Sequence, residues 1–191
     1  MSNRFDSQQY LDDYVQKGTF PKIHDKIAAV IAARCPKVPA MDFGACIGML
    51  TTRLVEQLDM PSAVGIEPDR KNLGRALTRP NVKFYNMPID QKHLMQLERI
   101  ITENGVRLLV ARRVISEIGF NNFAFMPVLS ESLQRCGIED IVLEGRVYSA
   151  RSTHPIPNAD KEAELMSNHF RVVHAEGDVR HMVSNKKLVR N

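Results

Sequence analysis

The stretch DFGACIG, residues 42–48, sets an acid and two glycines around a turn, and AVGIEPD places a second acid, Glu67, 23 positions after Gly44. Gly44 and Gly48 let a backbone take positive φ and come close to a ligand, while the N–H groups opening a following helix would face it. A dinucleotide fingerprint wants G-x-G-x-x-G; this loop offers G-x-x-x-G with Cys46 at its centre. Asp42 has no place in that fingerprint. It would repel a pyrophosphate but suit a ligand carrying positive charge. A carboxylate at the place of Glu67 accepts hydrogen bonds from both hydroxyls of a ribose, which is why adenosine-binding α/β folds keep an acid there. Taken alone, Glu67 reads equally well as a surface glutamate at a strand end. Its order and spacing with Asp42 and the glycines favour a ligand.

To meet, these residues need strands that end side by side, and the chain alternates in the way that supplies them. A helix is expected from about Pro21 through Arg34, with Thr19 or Phe20 near its cap, stopped by CPKVP. The strand PAMDF runs into the glycine loop and MLTTRLVEQL follows as a helix. The strand SAVGIE, the helix PDRKNLGRAL and the strand NVKFYN come next. DQKHLMQLERIITENG reads as a helix from Asp90 to Asn104–Gly105. VRLLVA is a strand, NNFAFMPVLSESLQRCG mostly a helix, EDIVLEG a strand and NADKEAELMSNHF a helix. FRVVHAE and VRHMVS, joined at Gly177–Asp178, read as a hairpin. The fold class is therefore α/β: a Rossmann-like, doubly wound sheet of seven strands, mostly parallel, with one C-terminal antiparallel hairpin strand. Ligands of such sheets sit at the carboxyl ends of the strands near the switch point. The glycine loop and Glu67 both fall at such ends.

The 191 residues are expected to form one domain, 1–191, long enough to bury about two-thirds of its unfolded surface. Apolar runs such as IAAVIAA are too short to span a bilayer, and MSNRFDSQQYLDDY has no apolar core behind a basic end, so neither a membrane span nor a secretory signal is expected. Cys35, Cys46 and Cys136 are odd in number and form no CxxC, which points to free thiols in a reducing, cytoplasmic setting. A net charge of +4, spread along the chain, permits an anionic partner without demanding one.

MDFGACIGMLTTRL, AVGIEPDRKNLGRAL, NVKFYNMPID and LLVARRVISEIG together resemble the class I S-adenosylmethionine-dependent methyltransferases, over about residues 17–150 by motif and beyond that by strand order. The first motif of that family is acid-x-Gly-x-Gly-x-Gly. Asp42, Gly44 and Gly48 match it, and Cys46 replaces the middle glycine. The resemblance implies that the loop, with Ala45 and Cys46 in its turn, surrounds the methionine end of S-adenosylmethionine, Asp42 reaching the ammonium directly or through water. Glu67 would hold the ribose and Pro68 would lie against the adenine. Asn86 would meet the adenine amine with Met87 packed on the ring; Asp90 is the rival, and its other role is a helix cap. Ala111 and Arg112 would line the methionine and sulfonium. S-adenosylhomocysteine would be the product.

The acceptor side is less defined. An Asn/Asp-Pro-Pro-aromatic motif after the fourth strand would mark DNA amino-methylation, and this chain has ARRVISEI there. Cytosine C5 chemistry needs a Pro-Cys nucleophile, whereas Cys35 precedes its proline. RRVISEIG supplies Arg112, Arg113, Ser116 and Glu117; GRVYSARSTHPIPN supplies Arg146, Tyr148, Arg151 and His154. The arginines suit an acidic group through bidentate contacts, and Glu117 or His154 is the candidate to take a proton. Solvated loop charges are the plainer reading of each. His169, His174 and His181 lack ligand-like spacing, so no metal site is expected.

Residues 1–36 form an N-terminal helical segment, a candidate lid carrying Tyr10, Tyr14, Lys17 and Phe20; Tyr10 and Tyr14 also suit a plain helical stripe. With no large insertion for a substrate domain, the expected acceptor is a small molecule or metabolite. The alternatives are a nucleic-acid-directed methyltransferase, which no motif indicates, and a non-catalytic module that keeps the fold for binding or assembly. A nicotinamide-dependent oxidoreductase is disfavoured by the missing third loop glycine.

Overall fold

The computed structural model describes residues 24–76, 78–145, 156 and 158–189. Seven strands form one sheet in the order β3-β2-β1-β4-β5-β7-β6: β1 (Ala40–Phe43), β2 (Ala63–Ile66), β3 (Val82–Tyr85), β4 (Leu108–Arg112), β5 (Asp140–Glu144), β6 (Phe170–Glu176) and β7 (Val179–Ser184). β1 to β5 pair in parallel, while β7 runs antiparallel to both β5 and β6. The hairpin thus contributes the one reversed strand. That strand is inserted between β5 and β6, and an extra residue at Val173 bulges β6 against it.

Among the described residues the helices are α1 (Asp25–Arg34), α2 (Met49–Glu56), α3 (Arg70–Leu73), α4 (Leu94–Glu103), α5 (Ile115–Asn121), α6 (Phe125–Arg135), α7 (Ala159–Glu164) and α8 (Asn185–Leu188). They cover both faces of the sheet, so the central strands are apolar on both sides, as parallel strands must be. The pleat sorts alternate residues. Leu109 and Ala111 of β4 join Phe43, Ile66, Leu97 and Leu129 on one face. Leu108 and Val110 join Ile27, Ile31 and Leu54 of α1 and α2 on the other. Continued by two residues, the same alternation carries Arg112 past Val110 and Glu144 past Val142 on the α1 face.

The helix ends follow local chemistry. Asp90 accepts the N–H of His93 at 3.1 Å and caps a 3-10 turn, Gln91–His93, that leads into α4. Asn158 caps α7 through the N–H of Lys161 at 3.1 Å. Three expectations need correction. α3 runs only from Arg70 to Leu73, shorter than the helix expected from PDRKNLGRAL, because Gly74 follows and gives the helix no side chain to pack. α7 ends at Glu164 and does not reach Phe170: the hydroxyl of Ser167 takes the carbonyl of Glu164 at 2.7 Å, a side-chain bond that competes with the helix ladder. Ile115–Asn121 is a helix where ARRVISEI had been read without one, and it packs Ile115 and Ile118 into the core. A Cβ on its Gly119 would stand 2.8 Å from Leu165 and 2.9 Å from Ile156, so the glycine permits that approach.

Candidate functional site

From β1 the chain moves outward through β2 and β3, then returns to lay β4 on the other side of β1. The order therefore reverses between β1 and β4, and the glycine loop lies at that switch point. Gly44, Cys46 and Gly48 all take positive φ, at 72, 53 and 78°. The loop folds onto the end of β2. The N–H groups of Gly44 and Ala45 donate to the carbonyl of Ile66 at 2.9 and 3.0 Å, and that of Cys46 donates to Glu67 Oε2 at 2.8 Å. Phe84 of β3 makes the close approach possible. A Cβ on Gly48 would stand 2.3 Å from the ring, and one on Gly65 would stand 2.5 Å from it.

Glu67 is buried, and its Oε1 accepts from the N–H of Asp69 at 2.9 Å and from the Asn72 amide at 3.2 Å. Pro68 beside it is exposed. Asn86, also exposed, turns its amide inward and donates to the carbonyls of Glu67 and Pro68 at 3.0 and 2.9 Å. It braces the ends of β2 and β3 together. Met87 is 2% exposed and packs with the apolar cluster on the α4 face. Ala45 and Ala111 are likewise buried, Ala111 within that cluster.

Asp42 is 2% exposed, and its Oδ2 accepts the hydroxyl of Thr51, on α2, at 2.7 Å. Burial pushes its pKa up to about 7 against the opposing hydrogen bond from Thr51. The cysteine thiol in the loop is pushed up to about 11, first by burial and then by the Glu67 charge, so Cys46 is no nucleophile at neutral pH.

Arg112 does not stand free at the end of β4. Its Nε lies 3.0 Å from Oε1 of Glu144, the last residue of β5, and Arg113 Nε lies 3.5 Å from the same oxygen. Glu144 was not foreseen as a site residue, although its place at a carboxyl strand end was a signal. Its carboxyl is raised above the usual range by burial, which the two arginines oppose. His24, just ahead of α1, is buried near Arg112 and Arg53. Burial and those cations push its pKa down to about 3, leaving it neutral at pH 7. Glu117 lies partly exposed on α5 and Ser116 is buried beside it. His154, Arg146, Tyr148 and Arg151 lie outside the described residues, as do Tyr10, Tyr14, Lys17 and Phe20.

At the amino end of β5, Asp140 accepts from His181 Nε2 at 2.9 Å and from Lys187 Nζ at 2.6 Å, with Cys35 Sγ 3.9 Å from the same histidine nitrogen. One nitrogen faces both partners, so the histidine cannot relay a proton between them, and burial pushes the Cys35 thiol up to about 12. This cluster is structural. Among the described residues no three His, Cys, Asp or Glu side chains form a metal-holding group, and no helix is long and apolar enough to cross a membrane. Two shallow depressions, one bounded by Gln134, His169 and Lys186 and one by Asp160, Phe170 and Met182, are lined by neither Asp42 nor Glu67.

Glu67 Oε2 has one protein donor and, like any carboxylate oxygen, room for a second. The spare acceptor at this edge therefore suits the O–H of a ribose. No family model and no curated protein matches the chain by sequence. Solved structures do match by fold. An S-adenosylmethionine-dependent methyltransferase from Aquifex aeolicus is similar over 94% of this chain and 100% of its own, with TM-score 0.65 and 15% identity. WbdD, a bifunctional kinase-methyltransferase, is similar over 95% of this chain with TM-score 0.58 and 16% identity. The chain spans 41% of the length of that WbdD chain. Fibrillarin, in a complex with Nop5p, is similar over 83% of this chain and 79% of its own, with TM-score 0.57 and 16% identity. The fold is that of the class I S-adenosylmethionine-dependent methyltransferases.

Proposed function

We propose that this chain is an S-adenosylmethionine-dependent methyltransferase acting on a small-molecule acceptor. The observation that carries the reading is the closure of Glu67 on the glycine loop at the switch point, with Cys46 N–H at 2.8 Å from Oε2. Bound S-adenosylmethionine would supply an activated methyl group. The work of the protein is to hold and orient. Glu67 accepts from the ribose, Gly44 to Gly48 give backbone close to the methionine end, and Pro68 with Asn86 borders the adenine. Asp42, turned to Thr51, sets the loop from beneath and acts on the ammonium through the field or through water. Arg112 borders the methionine end from β4. Most of the acceleration then comes from alignment of the acceptor, and Glu117 and His154 are the candidates to receive its proton. The likeness of fold to an S-adenosylmethionine-dependent methyltransferase over 94% of this chain supports the reading.

Calorimetric titration with S-adenosylmethionine and S-adenosylhomocysteine tests this. Micromolar binding by the wild type, weakened at least about tenfold in Glu67→Ala with the fold intact by circular dichroism, is the expected result. A second reading is favoured by Cys46, a non-glycine residue at φ 53° where the family motif has glycine. It holds the chain to be a non-catalytic module. Absence of binding by the wild type would put that reading first.

A further inference from the structure

Three buried polar atoms without a hydrogen bond meet at the ends of β4 and β5: Arg112 Nε, Arg113 Nε and Glu144 Oε2. The Glu144 side chain is 3% exposed, Arg112 13% and Arg113 42%. Both guanidiniums lie close to Oε1, yet neither Nε–H is aimed at it, so the attraction is Coulombic without the hydrogen bonds that normally accompany a buried ion pair. Unpaired buried polar atoms are rare in folded proteins, and each calls for a partner. The backbone is strained at the same point. Arg113 sits at φ 57°, held there by its N–H on the carbonyl of Glu144 at 2.7 Å.

The neighbouring charges are already committed. Lys26 pairs with Asp178 at 3.1 Å and His24 is neutral; Asp178 also feels the charge of Arg113, and the two guanidiniums, Lys26 and the carboxylates of Glu144 and Asp178 leave the place with one positive charge in excess. The place suits an anionic group, which a carboxylate fits in bidentate fashion. An anion alone would leave Oε2 unpaired and repelled, whereas a lone cation would meet the two arginines. A ligand that carries an anionic group and a nearby hydrogen-bond donor satisfies all three atoms at once. The place also lies beside the glycine loop and outside it. Val114, the next residue, has Cγ2 3.1 Å from where a Cβ of Gly44 would stand.

We propose that Arg112, Arg113 and Glu144 form the acceptor subsite of the enzyme, built for a small zwitterion of the α-amino-acid type, its carboxylate on the two guanidinium Nε–H groups and its amino group on Glu144 Oε2. The inference rests on the methyltransferase reading for what happens to that ligand. It does not rest on it for binding. The partly exposed Arg113 gives the open side through which the ligand enters.

The test uses glycine, acetate and methylammonium as probes at matched ionic strength, on protein first titrated with S-adenosylhomocysteine. The readout is the Nε–H resonances of Arg112 and Arg113, assigned by single Arg→Lys variants. Glycine is expected to shift both resonances saturably, and acetate and methylammonium to bind about tenfold or more weakly. Glu144→Gln should weaken glycine about tenfold and leave S-adenosylhomocysteine affinity within about twofold. Arg113→Gln, at a partly exposed position and with the fold checked by circular dichroism, should weaken glycine similarly. If S-adenosylhomocysteine binds and glycine binds no better than acetate, the subsite is wrong and the methyltransferase reading stands. If glycine binds as described and S-adenosylhomocysteine does not, the methyltransferase reading falls and the subsite stands as an amino-acid site. If neither binds, both fall.

Discussion

The backbone N–H of Cys46 and the side chain of Glu67 are joined at 2.8 Å across 21 residues of chain, so the tip of the glycine loop and the terminal acid of β2 form one unit. A change at either end is felt at the other.

Cys46→Gly tests the cost of that geometry. A non-glycine residue in the left-handed region costs roughly 1–2 kcal/mol, and glycine returns about 0.5–1 kcal/mol of that through the entropy of the unfolded chain. The variant should therefore be more stable by up to about 1 kcal/mol, a rise in Tm of about 2–4 °C for a chain of this size. A fall in Tm on differential scanning calorimetry would show that the buried part of the thiol outweighs the strain.

Gly48→Ala should do the opposite. The new Cβ meets the Phe84 ring at 2.3 Å and the backbone stands at φ 78°, so strain and overpacking add. A loss of about 2–4 kcal/mol in urea unfolding is expected. The double variant with Phe84→Leu should recover the steric part only; full recovery would mean that the backbone angle carries no cost.

Asp42 gives stability a pH dependence of unusual sign. Its carboxyl is raised from 3.8 to about 7 in the folded chain. Between those values the folded state keeps a proton that the unfolded state has released, so this group favours folding most below about pH 4, and the contribution is lost as pH rises through 7. Asp42→Asn keeps an oxygen for the Thr51 hydroxyl and removes the titration. Relative to wild type, its urea midpoint should improve as pH climbs from 4.5 to 8. An unchanging difference between the two proteins over that range would exclude burial as the cause.

Asp140 behaves in the reverse way. Hydrogen bonds from His181 and Lys187 hold its carboxyl below the usual range against the opposing effect of burial. Its stabilising contribution is present above the unfolded value and lost as pH falls through the folded one. Asp140→Asn leaves two donors facing a neutral amide and should cost about 3 kcal/mol at pH 7. Labelling with a thiol reagent gives the parallel readout: Cys35, buried beside this cluster, should react last of the three cysteines in wild type and much sooner in the variant.

The hairpin was legible to the residue because Gly177, at φ 54°, supplies a turn that little else can make between two β-rich runs. The strand ends were legible for the same local reasons, and with them the positions of Asp42, Gly44, Gly48 and Glu67. α5 was not, since ISEIGFN spans barely two turns and shows only Ile115 and Ile118 on one stripe. What escaped most completely was partnership. That Asn86 would brace Glu67 and Pro68, that Thr51 would claim Asp42, or that Glu144 would be buried follows from which strands and helices end up adjacent. A strand-final glutamate looks solvent-facing until α1 and β7 are packed around it. Tertiary neighbours of that kind leave no local mark.

The insertion of β7 has a bearing on how the chain acquires its shape. The last of the seven strands to be synthesised lies inside the sheet, so β5 lacks its second neighbour until residues 179–184 have left the ribosome and doubled back. Until then β5, apolar through Ile141, Val142 and Leu143, offers its backbone to any passing strand. The short turn at Gly177–Asp178 brings β7 to β6 locally, so the pair can arrive as a preformed ribbon and seal the edge in one event. Loop closure over the long span back to β5 would then limit the folding rate, and the Arg112–Glu144 neighbourhood would be the last part of the molecule to leave water.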